Sequence, residues 1–154
     1  MMQLSKLEEY RDKIKAAYEI SPFTEGVCPE PEDAVKRFEA RHAPIPAEYR
    51  WLLANFGGCY LAEPWIFTLK ELEESYSAFQ DAYEEYMSEC VHGPAFPIGG
   101  LGDGSIVFLD LDSGRVQGYN CDHEDLEEIA ENFSSLILSL AEQALELEKQ
   151  CRES

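Results

Sequence analysis

Residues 96–119 read FPIGGLGDGSIVFLDLDSGRVQGY, and this stretch decides the fold class. Residues 105–111 are apolar on both faces, which predicts a buried strand. Residues 112–114 (DSG) have the composition of a tight turn, and residues 115–119 then return as the partner strand of a hairpin. The stretch therefore predicts antiparallel β-structure in the second half of the chain.

Apolar residues recur at helical spacing on both sides of this hairpin. They predict three helices near the N-terminus, an aromatic helix in the middle and a long helix at the C-terminus, over residues 4–18, 32–42, 46–56, 76–90 and 126–147. Asp122 or Asp125 is expected to cap the last helix. Residues 59–69 are expected to contain a short strand interrupted by Pro64. Residues 1–154 are thus predicted to form a single domain of the α+β class.

The charge of the chain is strongly negative and unevenly distributed. It carries 31 acidic and 12 basic side chains, a net charge of −19, and residues 51–154 hold 21 of the acids but 4 of the basic residues. No Lys or Arg lies between Lys70 and Arg115. Such a surface repels phosphate backbones and anionic membranes, which argues against direct binding of nucleic acid or membranes. The charge indicates either attraction to a basic protein partner or simple solubility.

The N-terminal sequence and the cysteines indicate the cytoplasm. The first residues mix charged and apolar side chains and lack the apolar core of a secretory signal, and no later run is long enough to span a membrane. The cysteines are odd in number and form no CxxC pair, which favours free thiols without zinc, at Cys28, Cys59, Cys90, Cys121 and Cys151.

Three segments resemble chemical motifs, but each has a simpler interpretation. Residues 110–114 begin like a calcium loop, yet the glycine comes one position early and Cys121 occupies the place of the closing glutamate, so a hairpin turn is expected. Residues 122–124 (DHE) could serve acid–base or metal chemistry, but their position predicts a helix cap. Residues 99–104 are rich in glycine but lack the P-loop lysine and precede a strand. The sequence predicts no catalytic residue, metal or cofactor.

Taken together, the order of these segments resembles the SUKH superfamily, known from a yeast cell-wall synthesis regulator and many bacterial immunity proteins. The resemblance is strongest over residues 25–140. It rests on the spacing of several short elements: Ile45-Pro46, Gly57-Gly58, the Pro97-Ile98-Gly99 turn, Gly102-Asp103, the Asp110 strand and the Asp122-His123-Glu124 segment.

The resemblance implies helices that flank a largely antiparallel sheet of about six strands. It also implies a protein without catalytic activity: a cytosolic antidote that binds the toxic domain, often a nuclease, of a polymorphic or contact-dependent toxin. Two alternatives remain open. One is a regulatory or scaffold protein of the same fold that acts on host proteins, and the other is a metal-dependent hydrolase built around Asp110, Asp122, His123 and Glu124.

Candidate contacts with a basic toxin domain follow from the charge pattern. Nuclease domains attract phosphate and are therefore basic near their active sites, so an acidic binder gains association rate and complementarity. The candidates are four acids on the solvent face of the aromatic helix, two acids in loops and one exposed aromatic anchor: Asp81, Glu84, Glu85, Glu89, Asp103, Asp112 and Trp65.

Overall fold

The computed structural model of the chain describes residues 4–22, 26–120 and 122–153. Cys121, which the sequence counts among the free thiols, lies outside these residues. The described helices are α1 (Leu4–Glu9), α2 (Arg11–Ile20), α3 (Glu32–Arg41), α4 (Ala47–Asn55), α5 (Leu69–Glu85) and α6 (Phe133–Glu153), and a 3₁₀ turn follows α5 at Met87–Glu89. The described strands are β1 (Trp65–Ile66), β2 (Ala95–Gly100), β3 (Ile106–Asp110), β4 (Val116–Asn120) and β5 (Asp125–Ala130).

The strands form one antiparallel sheet in the order β1-β2-β3-β4-β5, so the predicted α+β class is confirmed. The predicted hairpin is β3 and β4, in which Val107 lies opposite Gly118. The described residues contain five strands where about six were expected. Beyond the sheet proper, Cys59 contributes an isolated bridge to Ile66.

Two hydrophobic clusters pack against opposite faces of the sheet. On one face, β-strand residues such as Val107 and Val116 pack into the main core with the N-terminal helices and α6. On the other face, Phe108 and Tyr119 pack against Phe79 of α5 and against Met87 of the 3₁₀ turn. Helix α5 contributes Leu72 and Tyr76 to the main core and Phe79 to the second cluster, and its remaining side lies in solvent.

The segment predicted to begin the last helix is instead the strand β5. Leu126, Ile129 and Ala130 have helical spacing in the sequence, but in the structure they belong to β5. This strand pairs with β4 through a register shift between Val116 and Gln117, which accommodates that spacing. The shift directs Ile129 and Ala130 toward the main core, while Leu126 packs in the second cluster. Apolar spacing alone does not distinguish an irregular strand from a helix.

The predicted cap at Asp122 or Asp125 is also wrong, because residues 122–124 form the turn between β4 and β5. Asn120 Oδ1 accepts the N–H groups of Asp122 and His123 at 3.0 and 3.1 Å, and Glu124 closes the turn at φ 50°. The helix α6 begins at Phe133, and Asn132 caps it by accepting the N–H of Ser135 at 2.9 Å.

The predicted helix over residues 4–18 is interrupted in the structure. Tyr10 has φ −102° and ψ 14°, outside helical geometry, so α1 and α2 are separate helices. Both still direct their apolar stripes inward: Leu7, Ile14 and Ala17 are fully buried.

Candidate protein-binding surfaces

Helix α5 is fixed at its N-terminus by side chains from two parts of the chain. Thr68 and Glu71 form a capping box, in which Thr68 Oγ1 accepts the N–H of Glu71 at 3.2 Å and Glu71 Oε1 accepts the N–H of Thr68 at 3.0 Å. Glu30, from the loop before α3, accepts the N–H of Leu69 at 2.9 Å. Leu72 is fully buried one turn later. These contacts set the rotation of the helix and therefore which side chains face solvent.

The solvent side of α5 and of the 3₁₀ turn carries the four acids that the sequence singled out: Asp81, Glu84, Glu85 and Glu89. We call these four residues the acidic helix surface; all are exposed. Within the described ranges, none of them has a Lys, Arg or His side chain within 4.0 Å. Their negative charge is therefore not neutralised by contacts within the described chain.

The acids of the N-terminal helices behave differently. Several form ion pairs with a basic residue one helical turn away, as in Glu8–Arg11, Lys15–Glu19, Glu32–Lys36 and Asp33–Arg37. The N–O distances in these pairs run from 2.9 to 3.9 Å. The asymmetry of charge in the sequence thus becomes an asymmetry of pairing on the folded surface.

Tyr86 follows Glu85 at the end of α5, although its three- and four-residue spacing from Tyr83 and Cys90 predicts a position on the apolar stripe of the aromatic helix. Helix α5 ends at Glu85, and Tyr86 adopts φ −127° and ψ −47°, so its side chain leaves the apolar stripe and is 47% exposed. Met87 occupies the interior position and is fully buried. An exposed tyrosine between Glu85 and Glu89 has the size and mixed polarity of an interface anchor.

Two further acids, Glu124 and Asp112, act on or lie beside the segment that follows the 3₁₀ turn. Burial, together with the carboxylates of Glu89 and Glu124, raises the pKa of the Cys90 thiol. Asp112, in the turn between β3 and β4, lies beside Gly93, since a Cβ on that glycine would meet Asp112 Oδ2 at 2.7 Å. Asp112 thus belongs to the side of the molecule where the chain leaves the 3₁₀ turn for β2.

Asp103 lies in the turn between β2 and β3, at the opposite end of the sheet from Asp112. Its Oδ1 accepts the N–H of Ser105 at 2.9 Å, and its Oδ2 is 3.4 Å from Asn120 Nδ2. Hydrogen bonds from Ser105, and more weakly from Asn120, lower the pKa of Asp103 and hold it ionised. The seven predicted contact residues are therefore not one patch.

Trp65, expected as an exposed aromatic anchor, is half-buried in the structure. It lies in β1 opposite Gly100 and faces a cleft of about 830 Å³ between residues 60–65 and α6. We call this the Trp65 cleft. Aromatic and aliphatic side chains line it together with three acids: Tyr60, Leu61, Leu147, Glu63, Glu142 and Glu146. Sequence spacing gave no signal for the cleft, because its walls are about 80 residues apart in the chain.

The Pro97-Ile98-Gly99 segment, expected as a turn, lies inside β2 and fixes the position of Trp65. A Cβ on Gly99 would lie 1.9 Å from the carbonyl oxygen of Trp65, so the close approach of β1 to β2 requires glycine there. The N–H of Phe67 donates to the carbonyl oxygen of Ile98 at 2.8 Å and continues the pairing.

The residues of the alternative hydrolase site do not come together. Asp110 ends β3 and accepts the N–H groups of Asp112 and Ser113 at 2.9 and 3.3 Å, which confirms the predicted hairpin turn. Residues 122–124 lie beyond the other end of β4, roughly 17 Å away for a five-residue strand. In the part of the chain that the structure describes, no three His, Cys, Asp or Glu side chains converge as metal ligands.

None of the helices within residues 4–22, 26–120 and 122–153 has the length and apolar character needed to cross a membrane. No curated protein matches the chain. The family model described as SMI1 / KNR4 family (SUKH-1) matches residues 29–139. This range is close to that of the resemblance drawn from the sequence, and it extends from the residue before Glu30 through the sheet into α6. The chain therefore belongs to the SMI1/KNR4 family (SUKH-1).

Proposed function

We propose that this protein is a cytoplasmic immunity protein that binds and neutralises a basic toxin domain, such as a nuclease domain, through the acidic helix surface. Membership of the SUKH-1 family supports a role as an immunity or regulatory protein. The observation that carries the proposal is that Asp81, Glu84, Glu85 and Glu89, beside the 47% exposed Tyr86, form no ion pair with any described Lys, Arg or His.

Clustered carboxylates that form no ion pair in the described part of the chain repel one another, so they are costly for the folded monomer and favourable for a complex with a cationic surface. A nuclease domain carries such a surface because it must attract phosphate. Opposite potentials accelerate the encounter of the two proteins and fix their relative orientation. Tyr86 would then supply the buried centre of the interface, with the carboxylates around it.

The test begins with the protein encoded beside this gene. We expect its C-terminal domain to inhibit growth when expressed alone, to be neutralised when this chain is co-expressed, and to co-purify with it. The variant with Gln at three acids of the acidic helix surface (Glu84→Gln, Glu85→Gln, Glu89→Gln) should associate with that domain about 3- to 10-fold more slowly at low salt. The difference should shrink as salt screens the charges.

A matched control changes the net charge equally at exposed acids elsewhere, with Glu9→Gln, Asp12→Asn and Glu131→Gln. This variant should keep an association rate within about twofold of the unmodified chain. If both triple variants associate equally slowly, net charge alone explains the slower association, and docking through α5 is contradicted. Failure of the adjacent gene product to bind or to be neutralised would contradict the immunity role and favour a regulatory protein of the same fold.

A further inference from the structure

The Trp65 cleft has a volume of about 830 Å³, and α5 contributes no residue to it. Its size lies in the range of ligand-binding clefts, roughly 300–1,000 Å³. Its lining combines an aromatic face at Trp65 and an aliphatic surface at Leu147 with the carboxylates of Glu63, Glu142 and Glu146. A cleft that is both aromatic and acidic favours ligands that carry an apolar stem and a positive charge.

The negative charge of the cleft is incompletely compensated. None of its lining residues is Lys, Arg or His among the residues described. Lys13 Nζ reaches Glu142 at 3.1 Å, Glu63 accepts the N–H of Gly102 at 2.9 Å, and Glu146 lies 3.5 Å from the amide nitrogen of Gln150. Glu63 and Glu146 therefore have no cationic partner within the described residues, and each keeps acceptor capacity for an incoming donor.

The aromatic rings of the cleft are held in place by the fold. The Trp65 ring packs over Gly100, where a Cβ would lie 3.1 Å from its Cζ2 atom. The Tyr60 hydroxyl donates to Glu71, and burial together with that hydrogen bond raises the pKa of Tyr60, so its ring stays neutral. A fixed, neutral aromatic face attracts a cation without the entropic cost of ordering the ring.

The chain itself shows how such an arrangement holds an arginine. The Arg11 guanidinium lies over the Trp51 ring, 5.6 Å from its centroid. Glu8 accepts hydrogen bonds from both Arg11 and the Trp51 indole nitrogen, at 3.4 and 2.5 Å. The Trp65 cleft contains the same chemical types, an indole face and nearby carboxylates, but no guanidinium from its own lining.

We propose that the Trp65 cleft binds an arginine side chain carried on a basic segment of a protein partner. The planar guanidinium stacks on Trp65 and donates to Glu63 and Glu146, while its methylene groups contact Leu147. A phosphate or carboxylate ligand would be repelled by Glu63 and Glu146, and an apolar ligand would bury both carboxylates without a cationic partner from the described residues. The proposal does not depend on docking through the acidic helix surface, so the two can fail separately.

The test uses the full chain labelled with ¹⁵N and a blocked pentapeptide with one central arginine among glycines. The chain contains two tryptophans, so each indole N–H gives its own NMR signal. Trp51 donates its indole N–H to Glu8, and Trp51 is not among the residues that line the cleft, so its signal serves as an internal control. We expect saturable movement of the Trp65 signal and little movement of the Trp51 signal. The same peptide with citrulline, which is neutral and of equal shape, should bind at least about tenfold more weakly.

Variants then assign the acids. Glu63→Gln combined with Glu146→Gln should weaken binding of the arginine peptide at least about fivefold, whereas Glu9→Gln combined with Glu131→Gln, on exposed acids outside the cleft, should change it less than about twofold. Equal binding of the arginine and citrulline peptides, equal movement of both indole signals, or no saturable movement would overturn the proposal. A Trp65 signal that moves with protein concentration alone would assign the cleft to a second copy of this chain and overturn it as well.

Discussion

Substitution of Gly99 by alanine is expected to separate β1 from β2, and with it to displace Trp65. The added Cβ would lie 1.9 Å from the Trp65 carbonyl oxygen, whereas a carbon–oxygen contact normally needs about 3.3 Å, so β1 must move by roughly 1.4 Å. The hydrogen bond from the Phe67 N–H to the Ile98 carbonyl, now 2.8 Å, would then exceed bonding distance, as would the neighbouring bonds of this two-residue strand.

The loss of two or three backbone hydrogen bonds at about 1 kcal/mol each gives about 2–3 kcal/mol. Alanine also lowers the conformational entropy of the unfolded chain, which stabilises the folded state by about 0.4–1 kcal/mol. The steric strain at the new contact offsets this gain. We therefore expect the free energy of unfolding to fall by about 2–3 kcal/mol, a large part of the usual stability of about 5–15 kcal/mol.

Urea unfolding followed by circular dichroism measures this change. Gly118→Ala in β4 is the matched control, because its Cβ would meet the mobile end of Ile129 at 3.2 Å and no backbone atom closer than 3.9 Å. We expect the control to change stability by less than about 1 kcal/mol. The Trp65 indole signal should move in Gly99→Ala and remain in place in the control. Equal stability of the two variants would refute the inference that glycine is required for strand contact at this position.

Three further outcomes follow from buried polar contacts. Glu48→Ala removes the acceptor of both the N–H and the hydroxyl of the fully buried Ser134, at 3.1 and 2.8 Å, so it should lower the free energy of unfolding by about 1–3 kcal/mol, measured in urea. Tyr49→Phe removes a buried hydroxyl that donates to a main-chain carbonyl at 2.8 Å, and the same assay should show a loss of about 1–2 kcal/mol. Burial raises the pKa of the Cys59 thiol, so a thiol reagent should modify the exposed Cys28 in the native protein and reach Cys59 after unfolding, even at pH 9.

The sheet shows how far sequence patterns predict the fold. The hairpin β3–β4 could be predicted because a buried strand, a turn of Asp, Ser and Gly, and a returning strand are all local signals. The strand β5 could not, since the apolar spacing of Leu126, Ile129 and Ala130 equals that of a helix until the register against β4 is known. The start of α6 likewise depends on a contact from Glu48 to Ser134, 86 residues away.

At the candidate site, too, the sequence predicted the exposure of some residues and did not predict that of others. The exposure of Asp81, Glu84 and Glu85 followed from helical periodicity, because the opposite face of α5 is apolar. The outward position of Tyr86 did not, since it depends on where α5 ends and on Met87 filling the interior. Trp65 was expected as an exposed anchor, but strand pairing with Gly100 brings it into a cleft against α6.

The sequence by itself determined the α+β class, the antiparallel hairpin and the excess of negative charge after residue 50. These properties are set by composition and by neighbours a few residues apart, which the chain carries before it folds. The tertiary structure alone decided which acids form ion pairs. It also decided that Tyr86 is exposed beside the acids of α5, and that a cleft opens beside Trp65. Those properties arise from contacts between segments that are distant in the chain. The cleft, for example, forms because Gly99 allows β1 to approach β2 closely and because α6 packs beside β1.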